Sequence, residues 1–166
     1  MALTIDTTLG YGEKNSWTKD EILAATKERD VRFLRLQFTD IVGVNKNVEV
    51  PTQQFEKALD GQIAFDGSSI EGFVRIEESD MILVPELNTF KVLPFVEIDE
   101  NGRKPDKVAR LICDIHHPDG SRFEGCPRLA LKQVVEETRA MGYTMMAGPE
   151  AEFFLFERNS GGGPTT

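Results

Sequence analysis

The chain has 166 residues, of which 40% are hydrophobic and 28% charged, a composition typical of a soluble globular protein. Its net charge of −9 and its 19 scattered basic residues argue against nucleic acid as the main partner and against an anionic membrane surface, because phosphate binding needs clustered Lys and Arg. It has no membrane-length apolar run, no secretory signal and only two cysteines, so we expect a cytoplasmic protein with reduced thiols.

The first part of the chain predicts a leader, a helix and a hairpin. Residues 1–17 show no sustained hydrophobic period, which indicates a flexible leader. Thr18 and Glu21 have the spacing of a capping box and predict a helix that continues to about residue 29. From residue 31 the apolar residues alternate, which predicts two strands joined by a turn at Val42 and Gly43. Pro51 then begins a short helix that stops at Gly61.

The second part predicts three further strands, at residues 81–84, 91–95 and 108–115. A helix is predicted over residues 127–141, with five side chains directed toward a core: Leu129, Leu131, Val134, Val135 and Thr138. Residues 143–156 follow as a long predicted strand. This order predicts an α+β fold, in which a small mixed sheet packed on a helix is followed by the first elements of a larger unit.

Two glutamates in the last predicted strand are candidates for chemistry. On a strand, Glu150 and Glu152 project from the same face, about 6.6 Å apart along the chain. Carboxylates placed in this way can each hold one of two divalent cations, and hard oxygen ligands select Mg²⁺ or Mn²⁺. The same spacing also fits the acid and nucleophile of a glycosidase, or a strand face in contact with solvent. The apolar residues 153–156 favour a position beside a buried sheet.

A second candidate site is residues 65–70 (FDGSSI). Asp-Gly is a turn dipeptide, and the two serines can cap the next element, so a purely structural turn is one interpretation. The other is catalytic, because a carboxylate that accepts a proton, with a hydroxyl nearby to orient the donor, can act in acid–base chemistry. Asp66 and Ser69 have the residue types that this interpretation requires.

Three motifs together resemble type I glutamine synthetase: residues 65–70 (FDGSSI), 78–81 (ESDM) and 148–154 (GPEAEFF). The resemblance covers the chain from about residue 18 to its end. It implies an N-terminal β-grasp domain at residues 18–112, after the leader at 1–17, and the beginning of the larger α/β catalytic domain at residues 113–166. It also implies ATP-dependent ligation of ammonia to glutamate through γ-glutamyl phosphate.

The resemblance assigns roles to individual residues. Asp66 would bind ammonium and remove its proton, Ser69 would help to hold it, and Glu150 and Glu152 would each ligate a different one of two catalytic Mg²⁺ or Mn²⁺ ions. Arg75 resembles a residue of the subgroup that glutamine feedback controls; a surface ion pair is the alternative. The active sites would lie between subunits of a dodecamer built from two hexameric rings.

The same resemblance limits what this chain can do alone. The family is more than twice as long, and its ATP pocket and glutamate-binding arginines would follow residue 166. Two carboxylates cannot complete two metal sites that each need about six oxygen ligands. We therefore expect these 166 residues alone to be inactive. The alternative from another functional class is a stand-alone β-grasp module that acts by binding or assembly.

Overall fold

The computed structural model of the chain describes residues 3–5, 16–70, 80–97, 106–157, 161 and 163. The strands are β1 (Leu3–Ile5), β2 (Val31–Thr39), β3 (Asn45–Pro51), β4 (Ile63–Asp66), β5 (Asp80–Val92), β6 (Phe95–Glu97) and β7 (Lys107–His116). The helices are α1 (Lys19–Glu28), α2 (Phe55–Leu59) and α3 (Pro127–Ala140). The chain divides into two compact units, residues 1–133 and 134–166, which are described separately.

The first unit is built on a mixed five-stranded sheet with the strand order β3-β2-β7-β5-β4. Strands β2 and β7 are parallel, and the other neighbours in this sheet are antiparallel. A separate two-stranded sheet joins β1 to β6. The α+β prediction is confirmed. None of the helices formed by the described residues has the length and apolar character of a membrane span.

The core lies against one face of the five-stranded sheet, where apolar side chains recur at every second position. Those that are 0% exposed include Leu34, Leu36, Leu83, Ala109, Leu111 and Ile115 from the strands, and Ile22 and Ala58 from α1 and α2. The predicted capping box of α1 is present: Thr18 accepts from the Glu21 backbone N–H, and the Glu21 side chain accepts from the Thr18 N–H. The predicted hairpin and short helix are also present.

Two details of the sheet differ from the prediction. Strand β4 was missed because its four residues, Ile63–Asp66, are too few to show a clear period. The strand predicted at residues 81–84 lies within β5, which continues to Val92 with a register shift between Glu86 and Lys91, whereas the strand predicted at residues 91–95 is divided between the end of β5 and the start of β6. Thr89 bridges this irregularity, because its hydroxyl donates to the Glu86 carbonyl and accepts from the Ile112 N–H. Polar residues therefore interrupt the pattern of β5 but not the strand.

The last part of the chain, from α3 onward, differs more strongly from the prediction. Residues 143–157 form no strand, and all of them are exposed. Of the core-facing residues predicted in α3, Leu129 is buried, but Leu131 and Val134 remain 55% and 49% exposed. The predicted strand at residues 143–156 is wrong for this structure, because a strand needs a neighbouring strand for its backbone hydrogen bonds, and none of the described strands pairs with this segment. The large apolar side chains of residues 143–156 are among the exposed ones.

Candidate functional site

The Asp66 carboxylate is held by a local turn. Asp66 is the last residue of β4 and the N-cap of a single 3-10 turn, Gly67–Ser69. Its Oδ1 accepts from the Ser68 backbone N–H at 2.9 Å and from the Ser68 hydroxyl at 2.6 Å, while Oδ2 accepts from the Ser69 hydroxyl at 3.4 Å. This is the turn that an aspartate makes with the backbone two residues later. The structure thus brings Asp66 and Ser69 together.

The Asp66 turn lies at one end of the sheet. Strand β4 is antiparallel to β5, which is antiparallel to β7, so β4 runs in the same direction as β7 and β2. The carboxyl ends of these three strands therefore share one sheet end. The rings of Phe38, from β2, and Phe65, from β4, have centroids 4.9 Å apart, so side chains from these two strands meet near this end of the sheet.

Exposure gives the Asp66 carboxylate access to a ligand. Both Asp66 and Ser69 are exposed, whereas Gly67 between them is buried. An ionised carboxylate accepts hydrogen bonds only, and its two oxygens together can accept about four. The arrangement can bind a small cationic donor and, once a substrate excludes water, accept a proton from it.

Glu150 and Glu152 lie in the second unit, in the exposed segment without regular secondary structure. Next to them, Phe153, Phe154 and Leu155 are 75%, 87% and 88% exposed, so the buried sheet expected beside the carboxylates is not present among the described residues. Carboxylate oxygens are suitable ligands for Mg²⁺ or Mn²⁺. Two of them make a partial ligand set, and the described residues contain no cluster of three or more His, Cys, Asp or Glu that could hold a metal ion.

Arg75 and the beginning of the 78–81 motif lie outside the described residues, as does most of the leader. Two buried carboxylates, Asp40 and Asp114, were not predicted from the sequence; they are 2% and 7% exposed. A signal for Asp114 was available, since it interrupts the apolar run of β7. An acidic residue in such a run must be paired if it is buried, and the pairing could have been anticipated.

Two family models match the chain in sequence order. The model described as "Glutamine synthetase, beta-Grasp domain" matches residues 30–118, and the one described as "Glutamine synthetase, catalytic domain" matches residues 124–166. The first match covers more than half of the chain and agrees with the fold of the sheet.

Curated relatives give the same result at high identity. The chain is 61% identical over 152 residues to a glutamine synthetase of Thermus thermophilus, covering 90% of this chain and 33% of that protein. The corresponding protein of Clostridium saccharobutylicum is 53% identical, with 90% and 32% covered, and that of Staphylococcus aureus is 54% identical, with 92% and 33% covered. The chain thus spans about a third of the length of these relatives.

Solved structures support the fold alone, because their sequence identities are low. A Plasmodium falciparum glutamine synthetase superposes with a TM-score of 0.63 at 21% identity, covering 77% of this chain and 24% of that one. A GmaS structure in complex with ADP gives a TM-score of 0.58 at 22% identity, covering 72% and 26%.

Proposed function

Because this chain belongs to the glutamine synthetase family, we propose that it is the N-terminal part of a glutamate–ammonia ligase. That enzyme would use ATP to phosphorylate the side chain of glutamate, and ammonia would then displace the phosphate to give glutamine. The observation that carries the proposal is the order of the two family matches, with the Asp66 turn in the first and the Glu150 pair in the second.

Asp66 is proposed to bind ammonium and to take a proton from it. Ammonium has four N–H donors and no lone pair, so it needs acceptors to bind and must lose a proton before it can attack. The exposed Asp66 carboxylate supplies the acceptor, and its Ser68 bonds fix the orientation of the group. Ser69, whose hydroxyl lies 3.4 Å from Asp66 Oδ2, is proposed to help hold the ligand.

Glu150 and Glu152 are proposed to ligate one each of two Mg²⁺ or Mn²⁺ ions. When bound, such ions neutralise the charge of a phosphoryl group in transfer. The two glutamates would supply one ligand to each ion. The remaining ligands and the ATP pocket would come from residues that are not part of this chain, which supports the expectation that these 166 residues alone are inactive.

The proposal extends to assembly, regulation and location. We propose a cytoplasmic dodecamer of two hexameric rings, in which the Asp66 turn completes the active site of a neighbouring subunit. The two cysteines are free, as reduced thiols in the cytoplasm would be. Arg75 is proposed as a contact for feedback control by glutamine, and its replacement by alanine should make synthesis less sensitive to added glutamine.

The test compares Asp66→Ala with a matched control in the longer polypeptide that contains this chain. Asp119 makes the same local contacts as Asp66, because its Oδ1 accepts from the Ser121 backbone N–H and hydroxyl at 2.9 and 2.7 Å. Loss of a proton acceptor costs about 100-fold or more in rate. Asp66→Ala should therefore lose glutamine formation by at least that factor and still bind ATP and glutamate, whereas Asp119→Ala should stay near wild type. Near-normal synthesis by Asp66→Ala would refute the role.

The metal assignment has its own pair of variants. Glu150→Gln should raise the Mn²⁺ concentration needed for half-maximal synthesis, because an amide oxygen is a weaker ligand than a carboxylate. Glu157→Gln removes an exposed carboxylate of the same segment and should leave the titration unchanged. Equal shifts in the two variants would show a general charge effect and would count against ligation by Glu150.

The binding-module alternative is decided by the intact mass of the polypeptide from its natural source. A mass well above 18.6 kDa supports the ligase, and a mass of 18.6 kDa would favour a module that acts by association.

A related ligase with another amine or acid substrate is distinguished by comparing the rates of product formation with different substrates. Faster product formation with a primary amine than with ammonium would reassign the substrate of the Asp66 turn.

A further inference from the structure

Asp114 is a buried carboxylate that receives two cations from one helix. It lies on β7 between Cys113 and Ile115, which face the core, so its own side chain projects from the opposite face of the sheet. Its Oδ1 accepts from Arg128 at 2.5 Å, and its Oδ2 accepts from Lys132 at 2.5 Å. The carboxylate is only 7% exposed, so both of its oxygens depend on these partners.

Glu86 completes the cluster from the neighbouring strand. Its carboxylate lies 3.3 Å from Lys132 Nζ and 3.8 Å from Arg128 Nη2. Glu86 pairs with Ile112 in the register of β5 and β7, two residues before Asp114, so both acids project from the same sheet face. The four groups form a neutral set in which each cation contacts both carboxylates.

Both cations of the cluster, Arg128 and Lys132, belong to α3. Arg128 and Lys132 are four residues apart, so they project from one side of the helix, one turn after the other. Few apolar side chains of this helix are buried among the described residues: Leu129 is buried, whereas Leu131 and Val134 are about half exposed. The charged cluster adds four ion-pair contacts between α3 and the sheet to the packing of Leu129.

We propose that Asp114 is a positioning residue that fixes α3 on the back of the sheet. Helix α3 lies in the region that matches the catalytic-domain model, whereas β5 and β7 lie in the region that matches the β-grasp model. Asp114 thus ties the first helix of the catalytic region to the neighbouring domain. A buried carboxylate favours one placement of the helix because it is costly to leave unpaired, and its two bonds set both the rotation and the height of α3. This inference goes beyond the proposed reaction and does not depend on it.

The test is amide hydrogen exchange on the 166-residue chain, which reports local opening separately from global unfolding. Asp114→Asn keeps the size of the side chain and removes its charge. We expect the amides of α3 to exchange at least about tenfold faster, and those of β2 and β7 to change by less than about twofold. Lys132→Gln, on the exposed side of the cluster, should have a smaller effect in the same direction and should leave the chain folded.

Asp60→Asn is the matched control, because Asp60 forms a bidentate pair with Lys19 at 2.7 Å on the surface of the same unit. It should leave α3 unchanged. Equal acceleration in α3 and in the sheet for both cluster variants would mean that Asp114 contributes only to global stability, and unchanged exchange in α3 would mean that the cluster does not hold the helix. Either result overturns the proposal.

Discussion

The turn between β2 and β3 depends on one buried carboxylate. Asp40 is 2% exposed, and its Oδ1 accepts from the backbone N–H groups of Val42 and Val44 at 3.0 and 2.8 Å. Lys46 Nζ lies 3.7 Å from the other oxygen. Since β2 ends at the same end of the sheet as Asp66, this turn is also part of the surroundings of the candidate site. Asp40→Ala removes the acceptor for both N–H groups.

The expected loss follows from these contacts. A donor left without its partner costs about 1–3 kcal/mol when it is buried. The turn residues are exposed, so water replaces part of the lost bonding, and we expect Asp40→Ala to lower the free energy of unfolding by about 2–3 kcal/mol. Asp40→Asn keeps an oxygen that can accept both bonds. It loses only the interaction with the half-exposed Lys46, which is worth about 0–1 kcal/mol.

Urea unfolding followed by fluorescence measures both variants. The single tryptophan, Trp17, packs edge-on against Phe90 at 5.0 Å and reports on the core. Asp106→Ala, which changes an exposed aspartate, is the control and should be nearly neutral. Equal losses in the alanine and asparagine variants would show that the charge of Asp40, not its role as acceptor, stabilises the turn. A loss below about 1 kcal/mol in Asp40→Ala would refute the reasoning altogether.

Three other predictions concern stability and reactivity. Burial alone would raise the pKa of Asp114, but hydrogen bonds from its cationic partners outweigh it and hold that pKa below its usual value. The resulting stability is present above pH about 3.9 and is lost as the pH falls through the folded pKa. The free energy of unfolding should therefore depend less on pH in the acid range in Asp114→Asn than in the wild type, as measured by unfolding at a series of pH values. Burial, with a smaller effect of the Asp114 charge, raises the pKa of Cys113 to about 12. Iodoacetamide should therefore label this thiol at pH 8 only after denaturation. Rapid labelling of Cys113 in the native chain would contradict its burial. Gly125→Ala should cost about 1–3 kcal/mol in urea unfolding, because its new Cβ would lie 2.5 Å from the Phe123 ring, whereas Gly148→Ala meets nothing within 4 Å and should be neutral.

Local sequence rules predicted the elements that are stabilised by their own residues. The capping box of α1 needs only Thr18 and Glu21, and the structure has both of its bonds. The β2–β3 hairpin follows from alternating apolar residues and from Gly43, whose φ of +85° suits glycine. The Asp66 turn is also local, since its capping bonds come from Ser68 and Ser69, two and three residues later. These features could be read in advance because their partners are neighbours in the chain.

Long-range contacts determined the strands that local sequence patterns did not predict correctly. The short strand β4 exists because β5 pairs with it, and the irregular middle of β5 stays in the sheet because Thr89 bonds to β7. Residues 143–156 have strand-like sequence, but no described strand pairs with them, and they form no strand.

The sequence by itself determined the family, the fold class and the candidate residues, because short motifs carry that information. Only the tertiary structure decided that Asp66 and Ser69 are exposed together, and that Asp114 is buried and paired with α3. Burial and ion pairing depend on which distant residues cover a side chain. The chain must fold before these properties of a carboxylate are set.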